Sequence, residues 1–177
     1  MAHDTVRRCV LATDRLSAGD WHEFSDRYRL DLVDVVRAVL TPATTTALPP
    51  DWQGDFDEER AGLWVSARDA ESAMLLVVEW ETRQPVGLLI LSEAVGEREQ
   101  LDVRVGYVLA QSAWGRGLAS ELVGALVEWA RSKPSIESMS GGVAAANDAS
   151  ARVLRKNGFQ PTGVTVGEHT YGLIVSS

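Results

Sequence analysis

The stretch "LDVRVGYVLAQSAWGRGLASELVGALVEWAR" (101–131) constrains the fold of this chain more than any other. In its first part, Leu101, Val103, Val105, Tyr107 and Leu109 alternate with Asp102 and Arg104, the period of a strand with one apolar face. From residue 118 the period changes. Leu118, Leu122, Leu126 and Trp129 recur at three- and four-residue steps, the stripe of a buried helix face, and Pro134 stops it. The switch happens across Trp114-Gly115-Arg116-Gly117. A strand that feeds a helix through two glycines implies an α/β architecture and a tight turn whose backbone is bare at two positions.

Taken alone, that junction has several readings. A P-loop requires a lysine directly after its last glycine, and Leu118 stands there. A dinucleotide fingerprint requires a third glycine, and Ser120 stands there. The strands before the junction also read as hairpin partners rather than parallel units. A tight turn that simply starts a helix stays open, as does an anion site on the helix N-terminus.

The rest of the chain fits one domain over 1–177. Residues 8–17 read as a first strand leading to a helix start, with Ser17 or Asp20 as its cap. Residues 19–40 carry helical spacing, as one bent helix or two. Residues 41–59, rich in proline and threonine, read either as a binding loop or as a plain surface connection, and of the tryptophans, which are usually core, Trp52 is the one best placed to face a ligand. A helix over 57–72 has an acidic first turn, as the helix dipole favours. Strands over 73–81 and 84–94 form a hairpin, a strand covers 137–145, a helix covers 147–159, and a terminal hairpin closes the chain.

The net charge of −8 and the scattered basic residues argue against nucleic acid or an anionic membrane as partner. No apolar run approaches the roughly 20 residues that span a bilayer. The first residues lack the apolar core of a secretory signal, so a cytoplasmic protein is expected. Cys9, the single cysteine, reads as a small buried hydrophobe, and no metal site is expected.

With a second motif the chain resembles a known family. "WGRGLA" is similar to the acetyl-CoA loop of the GCN5-related N-acetyltransferases (GNAT), [Q/R]-x-x-G-x-[G/A], at Gly117 and Ala119, with Gly115 and Arg116 in the usual small and basic places. Downstream, "NDASARVLRKNGF" supplies the family's Asn147, Lys156, Gly158 and Phe159. Trp114 departs from the first motif position, and with the surrounding "GYVLAQSAWGRGLASE" it looks like the branch of ribosomal-protein N-terminal acetyltransferases. The resemblance covers about residues 73–175. It implies a mixed, mostly antiparallel central sheet with two splayed parallel strands flanked by helices.

The resemblance also implies acetyl-CoA as cosubstrate. Its pyrophosphate would lie on the backbone N–H groups of Gly115, Arg116, Gly117, Leu118 and Ala119, a helix N-terminus free of bulk at the two glycines. The pantetheine arm would run between strands 101–110 and 137–145, with the backbone at Leu109 polarising the thioester carbonyl. Asn147 would contact that arm, cap the following helix, or both. The tyrosine acid of many relatives is Leu154 here, which leaves Ser150 as the implied acid. Candidate bases are Glu168 and His169 in the terminal hairpin and Glu93 and Asp102 on central strands, with a bound water in place of any dedicated base as the alternative. The acceptor would be a primary amine, on a small molecule or a protein N-terminus. A homodimer is left open, and so is a catalytically inactive acyl-CoA-binding module, which the missing tyrosine would permit.

Overall fold

The computed structural model describes residues 4–96 and 99–176. In chain order the elements are α1 (Asp4–Arg7), β1 (Leu11–Ala12), β2 (Leu16–Asp20), α2 (Trp21–Tyr28), α3 (Leu32–Val39), α4 (Pro42–Thr45) and α5 (Glu58–Glu71). The second half contains β3 (Ala73–Glu79), β4 (Pro85–Val95), β5 (Leu101–Leu109), α6 (Leu118–Arg131), β6 (Ile136–Ala144), α7 (Asp148–Lys156), β7 (Gln160–Thr165) and β8 (Glu168–Ile174). The strands form one eight-stranded sheet in the order β1-β2-β3-β4-β5-β6-β8-β7. Neighbours are antiparallel except β5 and β6, which run parallel. This is the expected mixed sheet flanked by helices.

Two apolar cores lie on opposite faces of the sheet. Leu75 and Val77 of β3 join Val103, Val105, Leu118, Leu122, Leu126 and Leu154 on the face covered by α6 and α7. Met74, Leu76 and Val78 join Trp21, Phe24, Val36 and Trp64 on the face covered by α2, α3 and α5. Because β3 is buried on both faces, it reads "AMLLVV" without alternation. At the far edge every residue of β7 is exposed, so its sequence carries no core stripe.

The N-terminal third departs from its expected boundaries for local reasons. The single strand expected over 8–17 is a hairpin: the Thr13 N–H donates to the Leu16 carbonyl at 2.8 Å, and the Leu16 N–H returns to Thr13 Oγ1 at 2.8 Å. A threonine that bonds its own turn in this way reverses the chain. Asp20, not Ser17, caps α2 through the N–H groups of His22 and Glu23, while Ser17 lies within β2. The helical span 19–40 is two helices, because Arg29 adopts a left-handed φ of 56° that ends α2 and Asp31 caps α3 afresh. The loop at 41–59 holds α4, closed by a reciprocal Thr41–Thr44 capping box. Trp52 packs edge-on to Trp64, with ring centroids 5.2 Å apart, and the Arg68 guanidinium lies 4.7 Å above its ring. The loop's tryptophan is thus half-buried against α5, and it is not part of the cavity lining described below.

Strand β4 lies close to β5 at Gly87, where a Cβ would come within 2.7 Å of the Val108 carbonyl oxygen and 2.6 Å of Leu109 Cδ2. Backbone cannot yield as a flexible side chain can. Gly87→Ala is expected to cost about 1–3 kcal/mol of stability, read as a lower urea midpoint with an unchanged slope.

Candidate active site

The site begins where the parallel pair comes apart. Strands β5 and β6 pair from Leu101↔Ile136 to Arg104↔Ser140, and the pairing ends there. Strand β4 stays paired along all of β5 to Leu109. The Ala110 N–H donates to the Val86 carbonyl at 2.8 Å. By the alternation of an antiparallel ladder, Tyr107 and Leu109 then turn their backbone groups the other way, toward the missing β6 partner. The Leu109 carbonyl is taken by the Trp114 indole N–H at 3.1 Å.

The glycine turn lies at the open end of this gap. Gly115 and Gly117 have φ of 69° and 77°, a left-handed backbone that only glycine adopts without strain. A Cβ at Gly115 would meet nothing within 4 Å, and one at Gly117 would come no nearer than 3.7 Å to Arg15. The protein itself leaves room there, so glycine is demanded by the backbone twist, and the space above it is open. Gly117 caps α6 without any side-chain hydrogen bond, so the first-turn N–H groups have no acceptor among the described residues. The positive end of the dipole of a 14-residue helix is thus left open.

A cavity of about 760 Å³ joins these features. Its walls include Tyr107 and Leu109 of β5, Gly115, Gly117, Leu118 and Ala119 of the turn, and Asn147 and Ser150 at the start of α7. Arg152 and Lys156 add positive charge farther along α7, and Ala43, Thr44 and Leu48, from α4 and the segment after it, close the other side. Asn147 caps α7: its Oδ1 accepts from the Ser150 N–H at 3.1 Å, and its Nδ2 donates to Ser150 Oγ at 3.0 Å. The cap and the polar pair are thus one arrangement.

Seven of the ten residues singled out from the sequence share this cavity. Arg116 is not among them. Its guanidinium turns away and pairs with Glu79, buried at the end of β3. Arg15 braces the same loop, donating to the Arg116 carbonyl at 2.9 Å and to Glu121 at 2.7 Å. Glu168 and His169 are on β8, opposite Ala144 and Val143 of β6, and neither reaches the cavity wall. They point to opposite faces of the sheet. The Glu168 carboxylate overlies Gly142, where a Cβ would come within 2.7 Å of it, and faces Arg104 at 3.9 Å. Asp102 accepts from the Ser138 and Ser140 hydroxyls, and Glu93 accepts from the Val6 N–H at 2.8 Å.

One feature of the site escaped the sequence. Tyr107 counted as one more apolar residue of an alternating stripe, yet its hydroxyl is shut off from solvent without a hydrogen bond. The segment 43–48 belongs to the 41–59 stretch read as a possible binding loop, and the tertiary fold lays it over the cavity. Cys9, buried as expected, has its thiol pushed up to about 12 by that burial.

A family model described as an acetyltransferase (GNAT) domain matches residues 26–160. The chain belongs to this family. No curated protein matches it in sequence. The fold recurs in an acetyltransferase (GNAT family) from Bacillus anthracis, at 18% identity and a TM-score of 0.75 over 94% of this chain and 99% of that one. It recurs in the ribosomal L7/L12 α-N-protein acetyltransferase RimL in complex with coenzyme A, at 21% identity and a TM-score of 0.65 over 94% and 98%. A Salmonella typhimurium acetyltransferase that modifies the N-terminal serine of ribosomal protein L7/L12 matches at 20% identity and a TM-score of 0.65 over 94% and 99%. At these identities the likeness is one of fold. Among the described residues no helix is long and apolar enough to cross a membrane.

The loop's ion pair makes a pH prediction. The hydrogen bond from Arg116 holds the Glu79 carboxyl below its ordinary value of 4.5 against the opposing effect of burial. A carboxyl depressed in the folded state stabilises the fold above its unfolded value and loses that contribution as pH falls through the folded one. Acid unfolding of wild type should therefore be steeper below pH 4.5 than that of Glu79→Gln, measured by circular dichroism against pH.

Proposed function

We propose that the protein is an acetyl-CoA-dependent N-acetyltransferase that passes acetyl directly to a primary amine. The observation that carries this reading is the continuous cavity from the uncapped end of α6, along the unpaired edge of β5, to Ser150. Its three parts suit the three parts of the donor. Outward N–H groups at residues 115–119 suit a pyrophosphate, and Lys156 and Arg152 suit further phosphate charge. The backbone of Tyr107 and the N–H of Leu109, whose carbonyl Trp114 already takes, suit an amide-bearing arm, which would add to the sheet as a strand does. The Leu109 N–H is then placed to polarise the thioester carbonyl. The shared fold of a relative seen with coenzyme A supports the same donor.

In this reading the amine gives up a proton, the new C–N bond forms as the C–S bond breaks, and the departing sulfur is stabilised by a donor. Ser150 is that donor, because its Oγ is held by Asn147 at the cavity wall. Among the described residues the cavity lining holds no carboxylate or imidazole, so in this reading the amine's proton leaves through water. Arg116 acts by fixing the loop rather than by touching phosphate. A protein N-terminus and a small amine both remain acceptors under this proposal, the first because two relatives of this fold are described as acting on ribosomal protein L7/L12. The same absence of a base favours one other reading, a binding module for acyl-CoA without turnover.

Coenzyme A release measured across a panel of amines and N-terminal peptides separates the two. Turnover with any of them supports transfer, whereas acetyl-CoA binding without turnover supports the module. Gly117→Glu should abolish acetyl-CoA binding in calorimetry. The left-handed site adds about 1–2 kcal/mol of strain, so the variant stays folded. Unchanged affinity would sink the phosphate cradle. Ser150→Ala should lower kcat at least tenfold while leaving acetyl-CoA affinity within about twofold.

A further inference from the structure

We infer that Trp114 is a positioning residue for the donor: its indole N–H holds the end of β5 and so fixes the spacing between the phosphate cradle and the strand edge that takes the arm. The inference rests on the acetyl-CoA reading above and deepens it, because it concerns how one donor is gripped at two places.

The starting point is the chain between the two grips. Strand β5 ends at Leu109 and α6 begins at Leu118, so residues 110–117 join the arm edge directly to the cradle. They contain one tight turn over Gln111–Ala113, in which the Ala113 N–H donates to the Ala110 carbonyl at 2.9 Å and the Trp114 N–H to the Gln111 carbonyl at 3.2 Å. Gly115 and Gly117 follow, both left-handed, and a Cβ at Gly115 would touch nothing within 4 Å. Glycines in open space do not stiffen a link, because they carry the greatest backbone freedom.

Trp114 supplies the stiffness. Its Nε1 donates to the Leu109 carbonyl at 3.1 Å. The next N–H, that of Ala110, donates to the Val86 carbonyl of β4 at 2.8 Å. The peptide unit between Leu109 and Ala110 is therefore held from both sides, by the sheet on one and by the indole on the other. Beyond the first glycine, Arg15 donates to the Arg116 carbonyl at 2.9 Å and Arg116 pairs with Glu79. Those bonds tie the cradle to β3 and to the turn between β1 and β2, whereas the indole ties it to β5. The Trp114 ring is 48% exposed and lines the cavity. A tryptophan so open gains less from burial than a core one, and its N–H is what the turn uses.

The consequence follows from the covalent length of the donor. A molecule whose pyrophosphate and thioester are joined by one arm binds as two linked modules. The first grip strengthens the second only when the spacing of the two sites matches the link. Without the indole bond each grip stays intact, but their spacing wanders, and ordering the turn on binding then costs affinity. The thioester also strays from the Leu109 N–H, and small misplacements of that kind cost rate.

The test is Trp114→Phe, which keeps a ring in the cavity wall and removes the N–H. Coenzyme A should bind about tenfold more weakly in calorimetry, the worth of one ordinary hydrogen bond. Adenosine 3′,5′-diphosphate, the nucleotide half alone, should bind within about twofold of wild type, because one grip needs no spacing. That second ligand also reports that the variant is folded. Equal losses for the two ligands would mean damage to the cradle itself, and no loss for coenzyme A would mean an idle bond; either overturns the inference. The chain has six tryptophans, so the Trp114 indole resonance is the one absent from the ¹H–¹⁵N spectrum of Trp114→Phe. In wild type it should keep its hydrogen-bonded shift when coenzyme A is saturating. A move to the free-indole position means that the arm displaces Trp114, which also overturns the inference. Both measurements use binding alone. If coenzyme A binds and no amine is acetylated, the transfer reading fails while the role of Trp114 is still decided. Wild type that binds no coenzyme A overturns the donor reading and this inference together.

Discussion

Everything at the candidate site depends on β5 and β6 ceasing to pair after Arg104 and Ser140. A parallel pair that continued would use the backbone groups of Tyr107 and Leu109 on its neighbour and fill the gap with ladder bonds. Instead β4 holds β5 straight to its end, while β6 follows β8 away, paired with it from Ser138 to Ala144. The two antiparallel ladders are long, and the parallel one between them is short. Backbone that a sheet would normally satisfy is left facing a cavity, and polar main chain in that state needs a partner of its own kind.

The helices are arranged around that opening. Helix α6 starts at one end of it with bare glycine, and α7 starts at the other with a side-chain cap. The contrast has a physical consequence. The uncapped end leaves N–H groups and the helix dipole for an anion, whereas the capped end uses Asn147 to satisfy its own backbone and to hold Ser150. The loop before α6 is braced from outside by Arg116 on Glu79 and by Arg15 on Glu121. The charges that an anion site would be expected to spend on its ligand are spent here on fixing the loop.

Much of this was legible residue by residue. The strand at 101–109 followed from alternation, α6 from its apolar stripe, and α7 from Asn147 and the Asn157-Gly158 end. Each is a local periodicity or cap, and local rules survive tertiary context. Arg116 was not legible, because a basic residue in a glycine loop reads alike whether it meets phosphate or carboxylate. Its partner Glu79 is 37 positions away. Tyr107 was hidden by its own regularity, since an aromatic in step with valines and leucines carries no mark of an unsatisfied hydroxyl. Trp52, in a proline-rich loop, carries no mark in the sequence of its contacts with Trp64 and Arg68 of α5.

By itself the sequence determined the class of fold, the order of its elements and the two motifs that bring the family into view. Those follow from spacing along the chain, which hydrophobic burial and capping translate directly into strands and helices. Only the tertiary structure decided which candidates meet. It placed Gly117, Leu109, Asn147 and Ser150 on one cavity, left Glu168 and His169 a strand away, and laid the 43–48 segment across the opening. The reason is that these contacts join residues far apart in sequence through a sheet register, and register is set by the packing of whole strands rather than by any motif within them.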